Sequence, residues 1–172
     1  VSIAQKKRFP IPQLNESIDK YGWIITGVPG GAIYTVGMLD KFGHPELMIH
    51  GLPPIKADHI LREAVRRLVE GHSFQVPNEL HDQVVKDYQV KSIAVDTSNF
   101  NDWLGQAAEY HGEDLDAVQL LWPDKSRRYP GDEGYDPMYA TQKRFDVRRP
   151  EYDQIEEVHV PGDDCSLCNK PL

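Results

Sequence analysis

YGWIITGVPGGAIYTVGMLDKFGHPELMIHGL, residues 21–52, is the stretch whose reading decides the fold. It holds three short apolar runs, 23–28, 32–39 and 46–52, with turn chemistry between them. Pro29-Gly30-Gly31 is a strong turn signal, so the first two runs are expected to pair as a hairpin. Residues 40–45 form a second loop. Three sequential strands with short links favour an antiparallel meander.

On the N-terminal side, residues 1–13 read as an extended arm, and Leu14 and Ile18 lie on one face of a short helix that Tyr21-Gly22 ends. On the C-terminal side, Pro53-Pro54 stops the third strand. Ile60, Leu61, Ala64, Val65, Leu68 and Val69 then make one apolar stripe at helical spacing over about residues 57–70. Arg62, Arg66 and Arg67 fall off the stripe, on a solvated face. Phe74 and Val76 suggest a short strand, and 84–95 is β-rich. Thr97, Ser98 and Asn99 are good N-caps for a second helix over 100–110. Residues 117–122 are apolar almost throughout, as expected of a strand in the middle of a sheet. After Trp122 the chain turns rich in Pro, Gly and charge.

The expected class is therefore α+β: a mainly antiparallel sheet, two helices packed on one face, and an irregular C-terminal wrap. Residues 1–20 are the arm and short helix, 21–140 a single domain, and 141–172 an extended C-terminal segment.

A chain of 172 residues can bury a core without disulfides. Its net charge of −8 argues against bulk nucleic-acid binding, although Lys6-Lys7-Arg8 and Arg127-Arg128 are local basic patches. No apolar run approaches the ~20 residues that span a bilayer. The N-terminal VSIAQKKRFP lacks the apolar centre of a signal peptide, so the expected setting is cytoplasmic.

Three groups of residues resemble a bacterial and phage family known only as domain of unknown function 4262. They are Tyr21-Gly22-Trp23 leading to Tyr34-Thr35-Val36-Gly37, then Phe42-Gly43-His44-Pro45-Glu46-Leu47, then Leu120-Leu121-Trp122-Pro123-Asp124 with Tyr129-Pro130. The resemblance covers roughly residues 20–140. It implies a shared fold and no mechanism.

Four sets of residues carry candidate chemistry. His44 and Glu46, two apart across Pro45, can converge as acid and base if the strand begins early. The alternative is that His44 caps the turn and Glu46 binds backbone amides. Tyr34, Thr35 and Gly37 suggest a pocket wall, because a strand glycine marks close approach of a ligand or of another backbone. Trp122, Asp124 and Arg127, with Arg128, Tyr129 and Tyr135, suit an aromatic and basic wall, or else a loop covering the core. Cys165-x-x-Cys168 is half of a zinc knuckle, with His159 as a third ligand. An inert tail and a redox pair are its alternatives. Residues 27–31 match no phosphate-loop pattern, and His44, His50 and His59 match no standard metal spacing.

Two functions are consistent with these residues. One is a non-catalytic interaction module for a protein partner or a second copy, with zinc at the tail. The other is a small enzyme or ligand binder with its pocket between the Tyr34–Gly37 strand and the loop after Trp122. The second requires His44, Glu46 and Tyr34 to meet.

Overall fold

The computed structural model describes residues 12–137 and 142–149. A six-stranded sheet forms its centre, in the order β1-β2-β3-β6-β5-β4. The strands are β1 (Ile24–Gly27), β2 (Ala32–Val36), β3 (Glu46–His50), β4 (Glu79–Val85), β5 (Tyr88–Ala94) and β6 (Ala117–Leu121). Two antiparallel three-stranded meanders, β1-β2-β3 and β4-β5-β6, meet along one parallel pair, β3 with β6, in which Leu47 lies opposite Val118. The expected α+β class and the central position of the last strand are both found.

The β1–β2 turn follows from its residues. Pro29 sets φ for the first central position, and Gly30 takes φ +78 at the second, the type II pattern. The Gly31 N–H closes the turn on the Val28 carbonyl at 2.9 Å.

The second apolar run is shorter as a strand than it reads. β2 stops at Val36, and α2 (Met38–Phe42) follows. Gly37 makes the switch at φ +115, a conformation that side chains other than glycine's rarely allow. A Cβ at Gly37 would run into the carbonyl oxygen of Gly22 and sit 2.8 Å from Trp23 Cα. The glycine therefore marks close approach of another backbone.

α3 (Pro54–Val69) crosses from β3 to the second meander. Pro54 starts it, as proline suits a first helical position. Ala57, Leu61, Ala64, Val65 and Leu68 are buried, while Val69 is 64% exposed and leaves the expected stripe. Arg62, Arg66 and Arg67 pair with Asp58, Glu63 and Glu70 along the exposed side.

The helices take both faces of the sheet, where the sequence suggested one. α3 packs with Ile33, Leu47, Ile49, Val118 and Leu120. On the other face, α1 (Pro12–Tyr21) contributes Ile18 and α5 (Gly105–His111) Ala107, and Leu104, between α4 (Phe100–Trp103) and α5, joins them in a core with Tyr34, Val36, Met48 and Ala117. The reason lies in β2 and β6, in which every residue is buried, so both faces need cover. Residues 142–149 complete the second face. Phe145 is buried there, its N–H donates to Gln119 Oε1 at 2.9 Å, and its carbonyl accepts from Asp96 N–H at 2.7 Å. This is the expected C-terminal wrap, as far as it is described.

Phe74 and Val76 form no strand. The β-rich region resolves instead into the β4–β5 hairpin, with a register shift between His81 and Val85. Gln83 takes φ +66 within that shift. Such irregularity protects an edge strand from pairing with another chain.

Candidate functional site

Glu46 opens β3 with its side chain wholly buried. Its Oε1 accepts from Gly37 N–H at 2.8 Å, Met38 N–H at 2.9 Å and His111 Nε2 at 2.8 Å. Its Oε2 accepts from the Thr35 hydroxyl at 2.7 Å. The Thr35 oxygen in turn accepts from Leu47 N–H at 2.9 Å, where the β2–β3 ladder has ended. One carboxylate thus ties together β2, the start of α2, and α5. Its four donors all come from the protein, so it is a cross-link between elements.

His44 points the other way. Its Nδ1 donates to the Pro45 carbonyl at 2.7 Å, and its Nε2 accepts from Phe74 N–H at 3.1 Å, on the α3 side of the sheet. Burial pushes the His44 pKa down, against the Pro45 hydrogen bond and the nearby charge of Glu46. Tyr34 shares the α5 face with Glu46. Its hydroxyl accepts from Gln106 N–H at 3.0 Å, and burial pushes its pKa up. His44, Glu46 and Tyr34 thus have separate partners, and the first lies across the sheet from the other two. They do not converge on a concave site.

The concavity lies elsewhere, on the α3 side. A groove of about 810 Å³ runs between the start of α3, the end of the β4–β5 hairpin and the loop after β6. Leu52, Ile60, Val85 and Trp122 line it with apolar surface. Ile55, 85% exposed, and Tyr88, 42% exposed, belong to the same lining, as does Tyr135. Lys56, His59 and Lys125 supply basic groups, and Asp124 and Asp136 acidic ones.

Of the loop residues singled out from the sequence, Trp122, Asp124 and Tyr135 line this groove. Arg127 lines a neighbouring depression. Tyr34, Thr35 and Gly37 line neither: Thr35 and Gly37 bind Glu46, and Tyr34 accepts from Gln106 N–H. Asp124 is a loop organiser: its carboxylate accepts from the N–H groups of Ser126, Arg128 and Asp136 at 2.8, 2.9 and 3.0 Å. The Arg128 bond leads the causes that hold it below the usual carboxylate range. Among the described residues the cation stacked on Tyr129 is Lys91, 4.6 Å from its ring centroid.

Two features were not legible in the sequence. His111 ends α5, 65 residues from the carboxylate it binds. His72 and His81 face each other, Nε2 to Nδ1, at 2.7 Å. No local spacing announces either contact. Among the described residues no group of three or more His, Cys, Asp or Glu side chains is placed to hold a metal. Cys165, Cys168 and His159 lie outside the described residues. No described helix is long and apolar enough to cross a membrane.

An α+β domain with a preformed apolar groove and buried polar cross-links is the class these features define. The chain belongs to the family described as domain of unknown function (DUF4262), whose model matches residues 17–136, more than two thirds of its length. No curated protein and no solved structure matches it.

Proposed function

We propose that this protein is a non-catalytic binding module whose site is the groove between α3, the β4–β5 hairpin and the loop after β6. The occupant is a short apolar segment of a partner protein. The observation that carries the reading is how exposed the groove's apolar lining is: Ile55 and Tyr88 line it and stand 85% and 42% exposed. Apolar lining this open to solvent suits the side chains of a partner segment, which cover it on docking. Support also comes from the sequence-identified acid and base candidates, each of which is bound within the fold.

The groove is tested with anilinonaphthalene sulfonate, a planar apolar probe whose fluorescence rises on burial. Ile55→Asp and Tyr88→Asp are expected to weaken its binding about tenfold, a loss of ~1.4 kcal/mol. Val69→Asp, at an exposed apolar site on the far end of α3, should bind the probe as the natural chain does. Equal binding in all four proteins overturns the groove as the site.

The reading extends to the C-terminal segment, where Cys165, Cys168 and His159 hold a structural zinc in a cytoplasmic setting. Native mass spectrometry of the full chain should find one zinc, lost in Cys165→Ser. A bare mass after zinc addition overturns this part. The same spectra report the subunit count, and a dimer dispersed by Ile55→Asp would make a second copy the partner.

A further inference from the structure

Three histidines from different parts of the chain surround Phe74, which has no exposed surface. The ring centroids of His44, His72 and His81 lie 6.1, 4.8 and 4.7 Å from its own. Their hydrogen bonds fix where the protons sit. His44 Nδ1 donates to the Pro45 carbonyl, so Nε2 is the lone pair that accepts from Phe74 N–H. Ser92 Oγ donates to the Val76 carbonyl at 2.8 Å, so it accepts from His81 Nε2 at 2.9 Å. His81 Nδ1 is then the acceptor for His72 Nε2. The chain of bonds runs one way, from His72 through His81 and Ser92 to Val76.

These side-chain bonds hold residues 72–78 at the His72 ring, Phe74 N–H and the Val76 carbonyl, between two ends fixed by backbone bonds from His72 N–H to the Arg67 carbonyl at 3.0 Å and from Asn78 N–H to the Ser92 carbonyl at 2.7 Å. Two of the side-chain bonds need a bare imidazole nitrogen. A proton on His44 Nε2 would face the Phe74 N–H, and a proton on His81 Nδ1 would face the His72 N–H. Each bond would become a repulsion between donors.

We propose that residues 72–78 are an acid-released strap, clamped while His44 and His81 are neutral and freed when they take up protons. Once freed, the strap withdraws Phe74 from the core it shares with Leu61, Leu68 and Val84. It thereby uncovers an aromatic side chain beside Val76, already 57% exposed.

The surrounding charges pull in both directions. Glu46 and Asp116 act on His44, and Glu79 and Asp82 on His81, all favouring the proton; His72 opposes it at both. Burial is the largest influence at each and also opposes it, so the clamp stays closed at neutral pH. At the end of α3, whose Arg67 carbonyl accepts the His72 N–H, Arg67 and Glu70 are paired with each other.

Hydrogen exchange of the full chain, read by mass spectrometry at about pH 8 and about pH 5 and corrected for intrinsic rates, is the test. Peptides covering 72–78 should lose about tenfold or more of their protection at the lower pH, while β3 and β6 keep theirs. The variant His44→Gln/His81→Gln offers amide oxygens that do not titrate, and should abolish the difference. If that variant does not fold, imidazole nitrogen shifts of the natural chain replace it. His44 should then lose its Nδ1–H tautomer, and His81 its Nε2–H tautomer, at the pH of strap release. Protection of 72–78 that is unchanged, or that falls only together with β3 and β6, overturns the proposal. So does release that persists in the double variant, or that occurs while both tautomers remain.

Discussion

Glu46 shows how a residue type suited to catalysis can be a structural device. Its two oxygens accept four hydrogen bonds, two of them from the first N–H groups around α2, where a negative charge is favourable. Glu46→Gln can keep its oxygen toward Gly37, Met38 and His111 only by turning its NH2 on the Thr35 hydroxyl, which must then give up its bond, and the charge is lost. Urea denaturation should show a loss of about 2–4 kcal/mol, the cost of breaking a buried charged network. A loss below ~1 kcal/mol would mean that the network contributes little. Gly37 is the other single-residue constraint. Gly37→Ala must hold φ +115 and push its Cβ into Gly22 and Trp23. A loss of about 3 kcal/mol is expected in the same measurement, from strain and overpacking together. The sequence marked both positions as special. It left the role of each open, because a glutamate or glycine looks the same beside a pocket and beside another backbone.

At the scale of elements, α3 separates buried from exposed apolar residues within one helix. Leu61 has no exposed surface, whereas Val69 is mostly exposed at the last turn. Leu61→Ala should cost about 2–5 kcal/mol by leaving a cavity, and Val69→Ala less than ~0.5 kcal/mol. Comparable losses would show that the helix does not pack as described. The helical period revealed this element in the sequence with nearly correct bounds. It also placed Val69 in the stripe, since periodicity carries no signal for where the covering sheet ends. The hairpin of β1 and β2 was legible from Pro29 and Gly30 for a local reason, namely that a tight turn is determined by the dihedral preferences of its own residues. The β4–β5 pairing was blurred because its register shifts between His81 and Val85.

For the whole molecule, stability depends on pH in two steps. His44, His50 and His81 have pKa values pushed down mainly by burial. The folded state binds their protons less readily than the unfolded chain. Their contribution is therefore complete above the ordinary histidine pKa and is lost as pH falls through the depressed values. Asp96 and Asp124 are held below the usual carboxylate range, first by the Ser98 hydroxyl and by the Arg128 N–H respectively. Their contribution is lost only in stronger acid. A plot of Tm against pH should be flat above about pH 7, decline from about pH 6.5, and steepen below about pH 4. A flat profile down to pH 5 would contradict the assignment of neutral buried histidines. From the sequence by itself followed the α+β class, the first hairpin, the long helix and the central last strand. Each is set by local dihedral preference or by the period of apolar residues. Only the tertiary structure decided which face each helix covers, that Glu46 meets His111, that His72 and His81 close around Phe74, and that the groove opens beside Trp122 and away from Tyr34. Those outcomes depend on register and on contacts between residues far apart in the chain. Periodicity says which side chains share a face, and leaves open what that face meets.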